Sequence, residues 1–455
     1  MAQPLYYYST NLKAASVSFG EALLKGLAPD KGLFMPESIP VLSWEEIAGF
    51  SEMKYHEIAC TIIKKFIGGQ VPDNIIRSLS KDAYNFPVPL EHVYDNIYVL
   101  RLDQGPTASF KDFAARMMGR LMQYFINIEH RELLILTATS GDTGSAIANA
   151  FYGLDDIRVV VLFPQDEVTD RQRKQMTTLN GNITSISIDG KFDDCQALVK
   201  QAFSDPDLDY LNLSSANSIN IGRLVPQIVY YFYAFAQLRK RTPDETVIFS
   251  VPSGNFGDMM GGLLAKKMGL PIEKFIIATN ENDEFSSFMK TDKYSKIEPS
   301  KNCLSSAMNV GHPSNLARVV ALYAGVMDEK GVIVKSPDMD AMRNDMYVVS
   351  INDSETKATI VKAFNDYKLL LEPHGAVGWA GFQKYLYDRD GNTADQLCIS
   401  LETAHPSKFS ETIKEILDFD PDLSQSLEGI ENKIESYVRM QNNYIDFKSF
   451  LKKSY

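Results

Sequence analysis

Lys111 is the residue of this 455-residue chain whose setting first suggests chemistry. Ahead of it stands Gly105-Pro106-Thr107-Ala108-Ser109-Phe110, a turn-forming pair followed by small hydroxyl residues. Behind it Phe113, Ala114, Met117, Met118, Leu121, Met122 and Phe125 recur at helical spacing and form one apolar stripe. Ser109 is the expected N-cap, which puts Lys111 in the first helical turn. Helix N-termini favour anions, so a cation is awkward there. The same positive end helps keep an amine unprotonated, as a Schiff-base lysine requires. A solvated lysine at a helix start is the plainer alternative.

Three further stretches have types and spacings suited to a site, each after an expected strand. Ser253-Gly254-Asn255-Phe256-Gly257-Asp258 has two glycines for close backbone approach and leads into a helix with free amides, an anion cradle. It lacks the Gly-Lys-Ser/Thr ending of a P-loop and the Gly-x-Gly-x-x-Gly of a dinucleotide fold, and a packing turn would look the same. Ser140-Gly141-Asp142-Thr143-Gly144 has the same design and suits a carboxylate. Asp142 would then turn its side chain away or accept from an amide, and simple capping is the alternative. Thr403, in Glu402-Thr403-Ala404-His405-Pro406, offers a neutral hydroxyl, or is only a strand end. A lysine nucleophile, a phosphate cradle, a carboxylate nest and a neutral hydroxyl together suggest an amino-acid enzyme that uses pyridoxal phosphate. A Thr rather than an Asp at the ring nitrogen suits elimination and replacement.

The elements that must position these residues alternate strand and helix from about residue 95. Strands are expected at 97–102, 133–139, 157–163, 183–188, 247–251, 275–279, 331–334 and 397–401. Helices are expected at 145–152, 169–179, 192–203, 223–239, 259–268 and 355–364, with another from Ser314. Continuous apolar strands between helices indicate a parallel sheet covered on both faces. Residues 1 to about 85 read as mostly helical, with a short strand at Tyr6–Thr10 and helices at 19–27, 43–50 and 54–66, the last stopping at Gly68-Gly69. The tail from Glu411 to Tyr455 reads as charged surface helices.

Composition narrows the class. A net charge of −12 argues against general attraction to nucleic acid, and 45% hydrophobic residues can form a large core. Cys60, Cys195, Cys303 and Cys398 lie far apart, and no His-Glu-x-x-His occurs, so neither a metal site nor a disulfide scaffold is indicated. With no membrane-length apolar run and no signal-peptide pattern, a soluble cytoplasmic protein is expected.

The residues resemble those of the threonine synthase family. The resemblance rests on the Lys111, 140–144 and 254–258 stretches. It extends to Ala307-Met308-Asn309-Val310-Gly311-His312-Pro313-Ser314-Asn315, Glu372-Pro373-His374-Gly375-Ala376 and Thr403-Ala404-His405-Pro406-Ser407-Lys408-Phe409, and in the leader to Tyr8-Ser9-Thr10 and the run from Gly26 to Pro36. It implies the fold-type II arrangement of pyridoxal-phosphate enzymes, similar to the tryptophan synthase β chain: two parallel-sheet α/β domains plus an N-terminal, mostly helical region. Expected boundaries are 1–88 for that region, 89–410 for the catalytic core and 411–455 for a helical tail. The implied activity is that of a carbon–oxygen lyase acting on phosphates: O-phospho-L-homoserine and water give L-threonine and phosphate by γ-elimination and β-hydration. Lys111 would hold the cofactor and move protons. Gly254, Asn255, Phe256 and Gly257, with Asp258 close by, would grip its phosphate, and Thr403 would meet its ring nitrogen. Ser140, Gly141, Asp142 and Thr143 would take the substrate carboxylate, and Asn217, Arg223 and Lys408 are candidates for the substrate phosphate. A monomer or a homodimer is left open. The family usually carries Gly where Lys31 stands, Asp at Asn309 and often Arg-Gly at Asn11-Leu12. The leader departures bear on packing around the site, and Asn309 on substrate contacts.

Overall fold

The structure, a computed structural model, describes residues 4–238, 245–389 and 396–455. Two sheets carry the candidate residues. The larger runs Met346–Ser350, Ile272–Thr279, Val247–Pro252, Leu397–Glu402, Ile97–Arg101, Leu90–Tyr94, parallel throughout except for the antiparallel last strand. The smaller runs Val438–Gln441, Ile183–Asp189, Ile157–Pro164, Leu133–Ala138, Leu213–Ser214, all parallel.

The apolar strands are covered on both faces, as their composition demands. In the larger sheet Val247, Phe249 and Val251 enter the main core with Tyr231 and Phe275, while Ile248 and Cys398 point the other way against Trp379 and Phe382. Those aromatics sit on the helix Pro373–Asp388, which the sequence reading missed. Glycine is a poor helix former, yet Gly375, Gly378 and Gly381 recur on its sheet-facing side. A Cβ at Gly381 would come 2.8 Å from that of Ala278, so helix and sheet approach closely only without side chains.

The N-terminal region is helical at Phe19–Lys25, Trp44–Gly49, Tyr55–Ile67 and Asp73–Ala83, around a small antiparallel sheet of Val17–Ser18, Tyr6–Ser9 and Phe34–Pro36. Helix Tyr55–Ile67 stops at Gly68, whose left-handed φ of 63° ends it as expected.

Two expectations need correction. The helix expected over 223–239 is broken into Ile221–Leu224, a 3-10 turn Val225–Ile228 and Val229–Gln237, because Pro226 removes a backbone donor; Arg239 lies outside the described residues. The tail is helical at Ser410–Leu417 and Tyr444–Ser454, but Val438–Gln441 is an edge strand of the smaller sheet. Among the described residues no helix is long and apolar enough to cross a membrane.

Candidate active site

Lys111 is the first residue of the helix Lys111–Glu129. Ser109 does not cap it, and its buried hydroxyl has no partner. Asp112 fixes the loop instead: its carboxylate accepts from the Thr107 amide (2.8 Å) and the Thr107 hydroxyl (2.6 Å). Gly105 is obligatory beside it, since a Cβ there would meet Asp112 Oδ2 at 2.4 Å. The loop is stitched to the end of the neighbouring strand Leu397–Glu402. The Phe110 amide donates to the Thr403 carbonyl (2.8 Å), and the His405 amide to the Ala108 carbonyl (3.0 Å). Lys111 and Thr403 are thus held in one frame by backbone hydrogen bonds.

The Lys111 amine is largely buried, 3.4 Å from Asp142 Oδ2. Burial pulls its pKa below the usual lysine range, opposed by Asp142 and assisted by Lys408 and Arg223. Asp142 does not turn away from the site. Its Oδ1 accepts from Lys408 Nζ (2.7 Å) and from the Gln172 side-chain amide (2.9 Å), so an amide bond is present but comes from another helix. Burial pushes the Asp142 carboxyl up, yet the Lys408 and Lys111 ammonium groups hold it well below the usual carboxylate range. The helix Asp142–Phe151 begins here. Thr139 Oγ1 accepts from the Gly141 amide (2.9 Å) and the Gly144 amide (2.8 Å), which leaves the Asp142 and Thr143 amides as the ones at the helix start with neither an intrahelical acceptor nor this hydroxyl.

The 253–258 loop joins Val247–Pro252 to the helix Gly257–Lys267. A Cβ at Gly254 would sit 2.9 Å from Met308 Cα and 3.0 Å from the Ala307 carbonyl, so the loop must be bare there. The Asn255 carbonyl accepts from Asn315 Nδ2 (3.0 Å), and Phe256 adopts a φ of 60° with its ring against Phe285. The Asp258 carboxylate is directed away from the loop's amides: Oδ1 accepts from Tyr230 (2.5 Å) and Tyr231 (2.7 Å). Burial pushes this carboxyl up to about 6.

The three phosphate candidates differ in what holds them. Asn217 is bonded to Thr137 Oγ1 (3.1 Å), and Lys408 is committed to Asp142 and the Thr107 carbonyl (2.8 Å). Arg223 is buried, donates through one nitrogen to the Ala216 carbonyl (2.8 Å), and keeps Nε without a partner.

Sequence reasoning gave no roles to Glu372 and His374. Thr403 Oγ1 donates to Glu372 Oε1 (3.3 Å), and the other Glu372 oxygen is bonded to the His374 ring at Nδ1. His374 Nε2 accepts from the Ala307 amide (3.0 Å), so a buried line runs from the Thr403 hydroxyl to the segment packed on Gly254. The Glu-Pro-His-Gly run was the available signal, but its partners come from distant segments.

Residues 85–400 match the family of pyridoxal-phosphate dependent enzymes, 6–84 the threonine synthase N terminus, and 375–451 the threonine synthase C-terminal region. Threonine synthase from Haemophilus influenzae is 40% identical over 98% of this chain and 99% of its own. The chain belongs to the threonine synthase family. A crystal structure of pyridoxal-phosphate-bound threonine synthase from Brucella melitensis superposes with a TM-score of 0.90 at 34% identity, covering 99% of each chain. The threonine synthase of Escherichia coli superposes at 0.88 with 36% identity, over 99% of this chain and 100% of that one. Fold-type II architecture and pyridoxal phosphate as cofactor follow from this membership. The bare Gly254 cradle and the buried lysine, its pKa lowered by burial, fit such a group.

The departures from the family pattern have different local settings. Lys31 and Leu12 both stand where the family usually has Gly, and both have left-handed backbone, φ 67° and 59°. Asn11 Nδ2 donates to the Asp30 carbonyl (2.8 Å) and to Glu329 Oε2 (3.1 Å). Asn309 serves its own loop, accepting from Asn280 Nδ2 (2.9 Å) and the Cys303 amide (3.1 Å).

Proposed function

We propose that this enzyme converts O-phospho-L-homoserine and water to L-threonine and phosphate. The observation that carries the reading is the buried Lys111 amine, framed by the Thr403 backbone and facing Asp142, in a chain of threonine synthase sequence from end to end. Pyridoxal phosphate, when bound, supplies an electron sink that lets protons leave carbons α and β to the amino group. The amides of Gly254, Asn255, Phe256 and Gly257 would hold its phosphate at the start of a helix. Asp258 contributes at most its backbone amide, since a carboxylate would repel that anion and its side chain already serves two tyrosines. Thr403 would meet the ring nitrogen.

Lys111, once free of the cofactor, would take and return protons at the substrate's α carbon and its neighbours. Burial favours its neutral, basic form, and the Asp142 carboxylate beside it stabilises the ammonium when the amine is protonated. The Asp142 and Thr143 amides, with the Ser140 hydroxyl and the Gly141 turn, would orient the substrate carboxylate. Asp142's own charge is neutralised there by Lys408. Arg223 is the best supported ligand for the substrate phosphate, with Asn217 and Lys408 framing the pocket. We place the enzyme in the cytoplasm, as a monomer or homodimer that takes a small-molecule substrate and neither nucleic acid nor membrane.

The test is direct. Protein loaded with pyridoxal phosphate and given O-phospho-L-homoserine should release phosphate and threonine in equal amounts, and Lys111→Ala should release neither. Full activity in that variant, or a 2-oxo acid in place of threonine, would overturn the reading.

A further inference from the structure

Arg318 is the largest side chain completely shut off from solvent, and among the described residues no carboxylate pairs with it. Its donors go to neutral oxygens: Nε to the Phe34 carbonyl (3.1 Å), one terminal nitrogen to the Ser218 carbonyl (3.3 Å) and Asn315 Oδ1 (2.6 Å), the other to the Ile219 carbonyl (2.7 Å). Burying an ion is costly unless its charge is compensated, and neutral carbonyls compensate only in part. A second buried arginine, Arg223, stands four residues beyond Ile219 and also has no ion pair among the described residues. Arg223 has the buried Asp112 as a charged neighbour, whereas Arg318 has none among the described residues, so its charge in particular is left unbalanced by the chain.

The connections of Arg318 lead to both anion-binding elements. Asn315, itself fully buried, accepts from Arg318 and donates through Nδ2 to the Asn255 carbonyl (3.0 Å) in the cofactor-phosphate loop and to the Ser218 carbonyl (3.2 Å). Ser218 and Ile219 lie just ahead of the helix Ile221–Leu224 that presents Arg223. Phe34 belongs to the small sheet of the N-terminal region. One planar guanidinium thus holds the N-terminal region and the segment bearing the substrate-phosphate arginine directly, and the phosphate loop through Asn315. A fork of five donors can hold three backbones at once, and a lysine cannot.

We infer that Arg318, acting through Asn315, is a positioning residue that sets the cofactor-phosphate loop and Arg223 relative to one another, and that its charge is balanced by bound phosphate. The inference rests on the assignment of the 254–257 loop to the cofactor phosphate. It predicts a phosphate-specific defect. Dissociation constants of pyridoxal 5'-phosphate and of pyridoxal, which lacks the phosphate, are measured by absorbance titration for the wild type, Arg318→Lys, Arg318→Gln and Asn315→Ala. Pyridoxal phosphate should weaken at least tenfold in Arg318→Gln and in Asn315→Ala, and less in Arg318→Lys, which keeps the charge and loses the fork. Pyridoxal binding should change less than twofold in all three. Equal weakening of both ligands, as a general loss of structure would give, overturns the inference, and so does an unchanged affinity for pyridoxal phosphate. Should Arg318→Gln fail to fold, Asn315→Ala decides, because it removes the side-chain bridge from Arg318 to the Asn255 carbonyl while keeping the arginine and the Asn315 amide's own bond to that carbonyl (3.3 Å). A wild type that binds neither ligand would refute the cofactor assignment itself, a result distinct from failure of the Arg318 role.

Discussion

Arg223 is the phosphate candidate with a charged donor to give, because its Nε is buried and unpartnered. A charge-assisted hydrogen bond is worth about 1.5–3 kcal/mol, so Arg223→Met should raise the KM for O-phospho-L-homoserine roughly ten- to hundredfold. Cofactor absorbance should be unchanged, and a KM within twofold of wild type would move the phosphate site elsewhere. Glu284 is a residue whose charge works against the fold. Burial, with no partner for Oε2, pushes its carboxyl up to about 8 from a reference of 4.5. The folded state then holds a proton that the unfolded state has released, so stability falls as pH rises between those two values. Glu284→Gln lacks this dependence. Its advantage in unfolding free energy should grow from about pH 4.5 to about pH 8 and then level, as read by urea titrations; an advantage that shrank with pH would contradict the shift. Individual residues were legible to differing depths. Lys111, Thr403 and the two loops could be found because their signals are local runs. The ion pairs of Asp142 with Lys408 and Lys111, and its bond from Gln172, join segments far apart in the chain, and no spacing rule reports them.

At the scale of elements, the lysine loop shows how a sequence rule can name the right place and the wrong device. A serine before a helix usually caps it, but here Asp112 reaches back to Thr107 and Ser109 is buried behind the strand end. The helix Pro373–Asp388 escaped notice because its glycines, required for close approach to the sheet, lower its local helical signal. The leader turns carry a different conflict, with Lys31 and Leu12 in left-handed backbone that L side chains resist. Lys31→Gly should stabilise the protein by about 0.5–1 kcal/mol, the strain released exceeding the added chain entropy of glycine. Leu12→Gly should act in the same direction. Urea denaturation reads both, and a destabilised Lys31→Gly would mean that the side chain's contacts outweigh the strain.

For the whole molecule, strand–helix alternation was enough to anticipate parallel sheets covered on both faces, since that pattern is written in the run lengths of apolar residues. The closing segment was not legible in the same way. Val438–Gln441 is only four residues long, alternates apolar and polar side chains, and is defined by its partner Ile183–Asp189. The helix behind it, Tyr444–Ser454, packs on the helix Phe192–Phe203 and on Val438–Gln441, and buries Phe447 and Leu451 completely in the core that covers this face of the smaller sheet. Phe447→Ala should therefore cost roughly 3–5 kcal/mol of unfolding free energy while leaving activity per folded molecule intact. A loss below 1 kcal/mol would show the tail to be dispensable cover. The proposed chemistry depends on one covalent attachment. Loading the protein with pyridoxal phosphate, reducing it with borohydride and mapping the peptides should place the cofactor on Lys111 and nowhere else, at one per chain. A label on another lysine, or none, would contradict it.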